Sequence, residues 1–288
     1  KRDGNTTAKM GVKAAEIAIE RAGITVKDID MIVFATLSPD YYFPGCGVQV
    51  QEMLEMRTVP ALDVRNQCSG FVYALSTADQ FIKTGMYKNI LVIGSENHSG
   101  GLDMTTRGRS VSVIFGDGAG AAVLTREEDN GKGILSTHLH SEGKHALELS
   151  LKGPSTMEWV PELIEKDPQE DIPYYPYMNG QFVFKNAVVR FSEVIMEGLI
   201  KNNLKKENID MLIPHQANLR IAQFIQKKFG LTDDKVFNNI MRYGNTTAAS
   251  IPLALCEAWE EGKINEGDTV VLAAFGSGFT WGSAIIKW

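Results

Sequence analysis

The apolar positions of this chain follow two rhythms. From Thr7 to Ala22 they recur at the three- and four-residue spacing of one helix face, and Gly23 follows as a stop. From Ile29 to Thr36 (IDMIVFAT) they run almost unbroken, as in a strand covered on both faces. The two rhythms then alternate. The pattern predicts a helix at about Gly47 to Leu54 and a short strand from Val59 to Val64. A helix from about Ser69 to Thr84 follows, closed by Gly85, and then a buried strand from Asn89 to Gly94. Strand-like segments flank Phe115-Gly116-Asp117-Gly118, the second running from Ala121 to Thr125.

The order repeats in the second half. Gln181 to Leu204 is a long helical stretch, and Ile209 to Ile213 (IDMLI) echoes Ile29 to Val33 (IDMIV). Helices are predicted at about Asn218 to Phe229 and Thr247 to Glu261. Thr269 to Phe275 and Ala284 to Trp288 read as strands on either side of Gly276-Ser277-Gly278. The same number of residues separates Cys68 from Gly85 and Asn245 from Gly262. This spacing predicts that Cys68 and Asn245 occupy equivalent helix starts in a duplicated βα unit. The expected organisation is an α/β fold with one half over residues 1–130, a connecting segment and insertion over 131–180, and a second half over 181–288. Residues 153–176 break the pattern with Pro154, Pro161, Pro168, Pro173 and Pro176. They read as an insertion over one face, either a surface loop or part of a substrate wall.

Composition narrows the class. The chain has 288 residues, 44% hydrophobic and 22% charged, which is ordinary globular chemistry. A net charge of −6 argues against a general affinity for nucleic acid or an anionic membrane. No apolar run approaches the length of a membrane span. Three cysteines with no paired spacing argue against a disulfide framework and for a reducing, cytoplasmic setting.

One of these cysteines stands in a chemically suggestive place. Cys68, in Asp63-Val-Arg-Asn-Gln-Cys-Ser-Gly-Phe71, follows a strand and opens a helix. Free N–H groups and the helix dipole favour an anion there, so the position is expected to bias the thiol toward thiolate. A buried, inert cysteine is the other reading of a lone Cys. Cys46 and Cys256 lack such a setting and read as packing residues. His215 follows the buried strand IDMLI, at the strand end where α/β folds place reacting groups, unless it only caps the next helix. Asn245, in Tyr243-Gly-Asn-Thr-Thr-Ala-Ala-Ser250, could equally be an ordinary N-cap. Gly116-Asp-Gly-Ala-Gly120 leads into a strand rather than a helix, so it reads as a tight turn and not a dinucleotide loop. His138, His140 and His145 lack a carboxylate or Cys motif to complete a metal site, and no metal is expected.

In combination these segments are familiar. NQCSGFVYAL, IPHQANLRIA, RYGNTTAASIPLAL, FGDGAGAAVL and AFGSGFTWGSA resemble motifs of the beta-ketoacyl-acyl-carrier-protein synthase III family, and they span nearly the whole chain. The resemblance implies a thiolase-like fold in five αβαβα layers and a homodimer. It implies acyl-CoA and malonyl-acyl carrier protein as substrates, with no resident cofactor. Cys68 would accept the acyl group, and His215 and Asn245 would polarise the malonyl thioester as it decarboxylates. Ser277 would supply a second backbone oxyanion donor, and Phe275 would sit beside the nucleophile. Phe43 would reach into the partner's acyl pocket, which His98 and Phe115 also line. Asn218, Arg220, Lys227 and Lys228 resemble the surface that meets CoA or the carrier protein, and Arg107 or Arg109 the arginine near the CoA adenine.

The chain departs from the family pattern in three places. The family's opening strand precedes Lys1, so an incomplete first sheet is expected. The 153–176 stretch is longer than usual, and His98 stands where an apolar residue is usual. The runner-up is an acyltransferase of the same family acting in secondary metabolism. A non-catalytic partner subunit of a condensing heterodimer would have lost its nucleophile, whereas Cys68 is present. Thiolases and hydroxymethylglutaryl-CoA synthases resemble HQANLR followed by GNTTAAS less closely.

Overall fold

A computed structural model describes residues 4–128, 130–157, 165 and 174–288 of the chain. Two four-stranded sheets form its frame. The first contains Met31–Ala35 (β1), Ala61–Val64 (β2), Asn89–Glu96 (β3) and Gly118–Thr125 (β4), in the order β2-β1-β3-β4. The second contains Gly133–Ser141 (β5), Met211–Pro214 (β8), Thr269–Gly276 (β9) and Thr280–Lys287 (β10), in the order β5-β10-β9-β8. Leu149–Ser150 (β6) and Tyr177–Met178 (β7) pair as a small separate ladder. The helices are Thr7–Arg21 (α1), Cys46–Met53 (α2), Gly70–Lys83 (α3), Arg109–Ser112 (α4), Gly180–Lys201 (α5), Leu219–Phe229 (α6), Ile240–Tyr243 (α7) and Ser250–Glu260 (α8).

Strand alternation sorts side chains into layers. On the first sheet Ile32, Phe34, Leu91 and Ile93 face outward and pack with Ala8, Ala15 and Ile19 of α1 and Val50 of α2. Met31, Val33, Ala35, Ile90 and Val92 face inward. They meet α3 through Phe71, Leu75 and Ala78, and α8 through Ile251, Ala254 and Ala258. The same cluster takes in Met211, Ile213, Val270, Leu272 and Ala274 from the inner face of the second sheet. Its outer face, through Leu212, Val271, Ala273, Phe275 and Ile285, packs on Phe191, Val194 and Ile195 of α5 and Ile221 and Ile225 of α6. The sequence of layers is therefore helix, sheet, helix, sheet, helix, with α3 and α8 in the middle.

The duplication is visible in strand pairing. β1 and β3 are parallel, and β3 and β4 antiparallel; β8 and β9 are parallel, and β9 and β10 antiparallel. β2 runs parallel to β1, and Val236 makes the matching parallel bridge to Leu212 of β8. β5, within the segment read as a connector, adds an antiparallel strand to β10. Among the described residues, β4 has no such neighbour.

Two sequence expectations change. The segment just before Phe115 is the short helix α4 rather than a strand. Cys68 and Asn245 are also not equivalent. Each central helix is preceded by a 3-10 turn, Gln67–Ser69 before α3 and Thr247–Ala249 before α8, so Cys68 matches Ala248. Counting back from the closing glycines misled because α3 has 14 residues and α8 has 11, a difference of nearly one turn. Of the proline-rich stretch, residues 158–164 and 166–173, with Trp159 and three of the prolines, lie outside the described residues. No helix among the described residues is long and apolar enough to cross a membrane.

The 3-10 turn before α8 packs directly on β3, and the contact tolerates no added atoms. A Cβ at Gly94 of β3 would lie 2.4 Å from the Ala248 carbonyl oxygen. Gly94→Ala is expected to destabilise the fold by about 1–3 kcal/mol, as overpacking in a close-packed core does. Gly143→Ala, where nothing among the described residues lies within 4 Å, is expected to change stability by less than about 0.5 kcal/mol. Urea denaturation of both variants checks the contrast, and equal midpoints would refute it.

Candidate active site

Cys68 sits in the 3-10 turn that precedes α3 rather than in the helix itself, and it is buried. Opposite it runs the turn between β9 and β10. A Cβ at Gly276 would come within 2.6 Å of Cys68 Cβ and 3.0 Å of its Sγ, so only glycine lets the two turns touch. The Ser69 and Thr280 hydroxyls lie 2.6 Å apart, and the Thr280 hydroxyl also donates to the Ser277 carbonyl at 3.1 Å. The backbone N–H groups of Ser277 and Cys68 stand near enough to the thiol to favour its ionised form.

The expected thiolate bias is not met. Burial, with the negative charge of Glu96 adding to it, pushes the Cys68 thiol up to about 12, against the pull of the two amides. Loss of water outweighs a helix end that begins only at Gly70. Burial pushes Cys46 up to about 12 as well. What distinguishes Cys68 is its company and not its acidity.

That company comes from the second half. His215 follows β8, and its N–H donates to the Ala273 carbonyl at 2.8 Å. Its Nδ1 lies 2.6 Å from Ser250 Oγ, while its Nε2 is buried with no hydrogen-bond partner among the described residues. Burial lowers its pKa to about 3, so the ring is neutral. Asn218, not His215, caps α6. Asn245 is pinned by backbone bonds: its N–H donates to Ile114 O at 2.8 Å, and its carbonyl accepts from Gly116 N–H at 3.1 Å. Its Oδ1 accepts from Thr247 N–H at 2.9 Å, although Thr246 and not Asn245 is the cap of the 3-10 turn. That contact leaves its Nδ2 as the outward donor. Cys68, His215 and Asn245 line one cavity of about 110 Å³, together with Phe275 and Asn218.

Cys68 also borders a larger cavity of about 280 Å³, walled by Leu37, His98, Leu102, Phe115 and Thr247. His98 is buried there, its ring 5.0 Å from that of Phe115 and its Nε2 3.0 Å from Thr247 Oγ1. Burial lowers its pKa, against the pull of Glu96 and Asp117. Leu149, Ser150, Leu151 and Pro176, around the two ends of the proline-rich stretch, complete the wall.

The other expected residues stand apart from this centre. Phe43 is 81% exposed in a loop with Tyr41 and Tyr42. Arg107 pairs with Asp103 at 2.6 Å, lies 5.7 Å from the Tyr175 ring and borders a separate hollow. Arg109 is exposed at the start of α4. Arg220, Lys227 and Lys228 are exposed on α6. His138 and His140 do meet a carboxylate, Glu197 of α5, at 3.4 and 2.6 Å, which spacing within β5 could not reveal. Sequence reasoning also missed Glu96 and Ser250, whose partners lie far away along the chain.

The sequence and the fold both match those of known proteins. Residues 62–143 match 3-oxoacyl-[acyl-carrier-protein] synthase III, and residues 199–288 match the C-terminal region of that family. The chain is 46% identical over 290 residues to a beta-ketoacyl-[acyl-carrier-protein] synthase III of Rhodospirillum centenum, covering 99% of this chain and 85% of that one. The crystal structure of the 3-oxoacyl-[acyl-carrier-protein] synthase III of Aquifex aeolicus superposes with a TM-score of 0.89 at 41% identity, covering 99% and 85% of the two chains. A priming beta-ketosynthase from a polyketide pathway superposes with a TM-score of 0.88 at 28% identity, covering 99% and 83%. The chain has the thiolase-like fold and belongs to the 3-oxoacyl-[acyl-carrier-protein] synthase III family of condensing acyltransferases.

Proposed function

We propose that this chain initiates fatty acid synthesis by condensing an acyl-CoA primer with malonyl-acyl carrier protein, with Cys68 carrying the acyl group between the two. The observation that carries this reading is one cavity shared by a thiol, a neutral imidazole with an unpartnered Nε2 and an amide with an outward donor.

In the first half-reaction the Cys68 proton passes to Nε2 of His215 as Sγ attacks the thioester carbonyl. The thiol is the stable form in the free site, so proton transfer and attack belong to one event. The amides of Cys68 and Ser277, which favour negative charge at the thiol, would stabilise the oxyanion that forms beside it. CoA leaves as a thiolate and takes the proton back from Nε2. In the second half-reaction malonyl thioester loses carbon dioxide. Negative charge gathers on its thioester oxygen, where Asn245 Nδ2–H and His215 Nε2–H stabilise it. The carbanion attacks the acyl carbonyl and Cys68 departs as a thiolate, which takes a proton from solvent water to restore the thiol. The product is a 3-oxoacyl thioester on the carrier protein. Side chains and backbone amides suffice for every step, and the mechanism uses no metal or cofactor.

The acyl chain would occupy the larger cavity, with His98 and Phe115 on its wall. Arg220, Lys227 and Lys228 form a basic, exposed helix face suited to an acidic carrier protein, with Asn218 at its start. Arg107 is the better placed of the two arginines to meet CoA, because it borders a hollow beside Tyr175. Free cysteines suit a cytoplasmic enzyme. Tyr41, Tyr42 and Phe43 form an exposed aromatic cluster that a second copy of the chain would cover.

Cys68→Ala should accept no acyl group from acyl-CoA, whereas Cys46→Ala should load normally. Intact-protein mass spectrometry reads both, and a stable adduct on Cys68→Ala would overturn the assignment. Asn245→Ala should still load Cys68 but lose roughly a hundredfold to a thousandfold in carbon dioxide release from malonyl-acyl carrier protein. Normal release would favour simple acyl transfer over condensation. The protein should be a homodimer by light scattering, and a fully active monomer would refute the role given to Phe43.

A further inference from the structure

Ser250 is the first residue of α8 and is almost fully buried. Its Oγ lies 2.6 Å from His215 Nδ1 and 2.9 Å from the Thr247 carbonyl oxygen, and it also accepts from Gln216 N–H at 3.4 Å. The carbonyl is held in place. Thr247 sits at φ +41, its N–H donates to Asn245 Oδ1, and its hydroxyl is paired with His98 at 3.0 Å.

A hydroxyl has one proton and a neutral imidazole has one N–H. If Ser250 donates to the Thr247 carbonyl, its lone pair accepts from His215 Nδ1–H, and Nε2 is a bare acceptor. If Ser250 turns its proton to Nδ1, the ring proton stands on Nε2, which becomes a donor. Both arrangements keep every heavy atom in place. Backbone N–H or C=O in place of Ser250 would allow only one of them.

The mechanism above asks for both. Loading needs Nε2 as acceptor for the Cys68 proton, and decarboxylation needs Nε2–H as donor to the thioester oxygen. We propose that Ser250 is a positioning residue whose hydroxyl accommodates either neutral tautomer of His215, so that one imidazole serves the two half-reactions in opposite roles. The change of tautomer takes one proton off Nδ1 and puts one on Nε2, with water as carrier between the two substrates' visits. No net charge is created. The inference rests on the condensing function proposed above.

Nitrogen-15 spectra of histidine-labelled enzyme distinguish the tautomers, with His215 assigned by the signals lost in His215→Gln. The free enzyme should show Nδ1–H. Acyl-Cys68 enzyme with a non-decarboxylating malonyl thioester analogue should show Nε2–H. Ser250→Ala should show one tautomer in both states, and its ratio of carbon dioxide release to acyl loading should change by about tenfold or more. Ser250→Thr should restore the ratio. A wild-type enzyme that is active in both half-reactions yet keeps one tautomer throughout overturns the inference alone, and this spectrum needs no variant to fold. An unchanged ratio in Ser250→Ala, whatever its melting temperature, also overturns it. A wild-type chain that neither loads nor decarboxylates removes the functional reading and this inference with it.

Discussion

A carboxylate cut off from water must find donors within the protein, and the site is arranged around how Glu96 does so. It stands at the end of β3 with no exposed surface. It accepts from the Thr36 hydroxyl at 3.0 Å, the Ser38 hydroxyl at 2.5 Å and the N–H groups of Leu37 and Ser38 at 3.1–3.2 Å. It also accepts from Ala248 N–H, across the molecule, at 3.4 Å. Leaving such a group unpaired would cost several kcal/mol. Satisfying it ties the end of β1 to the turn before α8, and so fixes the first half against the second.

That tie has a chemical price. Glu96 is close enough to Cys68 to add to the effect of burial on its thiol. The centre therefore starts from a neutral thiol and a neutral imidazole, not from an ion pair. Reacting groups that start neutral and buried suit a reaction in which charge appears on oxygen only in transit, because fixed amide donors act most strongly where bulk water is kept away.

The layered fold makes this possible. Two sheets of related pairing enclose two central helices, and each helix is entered through a 3-10 turn. At Gln67 and at Thr247 the backbone enters the left-handed region without glycine. These paired conformations bring Cys68 toward the partner turn, and they leave the Thr247 carbonyl facing Ser250. Conformations of this kind persist where surrounding contacts enforce them, as at Gly94 and Gly276.

Much of this was legible in the sequence. The unbroken apolar runs of IDMIVFAT and IDMLI, glycines after the helices and the strand ends before Cys68 and His215 are local signals, and local periodicity set the elements, while the five layers were implied by the family resemblance. The Cys, His and Asn contexts identified the three residues that share a cavity. What the sequence did not disclose is what depends on distance through space. The one-turn difference between α3 and α8 concealed which residues are equivalent. The Cys68 pKa follows from desolvation and a charge 28 positions further along the chain. Glu96, Ser250 and the Glu197 contact with two histidines take their meaning from partners on other elements. The chain's pattern decides which faces are buried, and only the closed structure decides which polar groups are buried together. That is why the elements and the three candidate residues that share a cavity could be read from the sequence, while their protonation states could not.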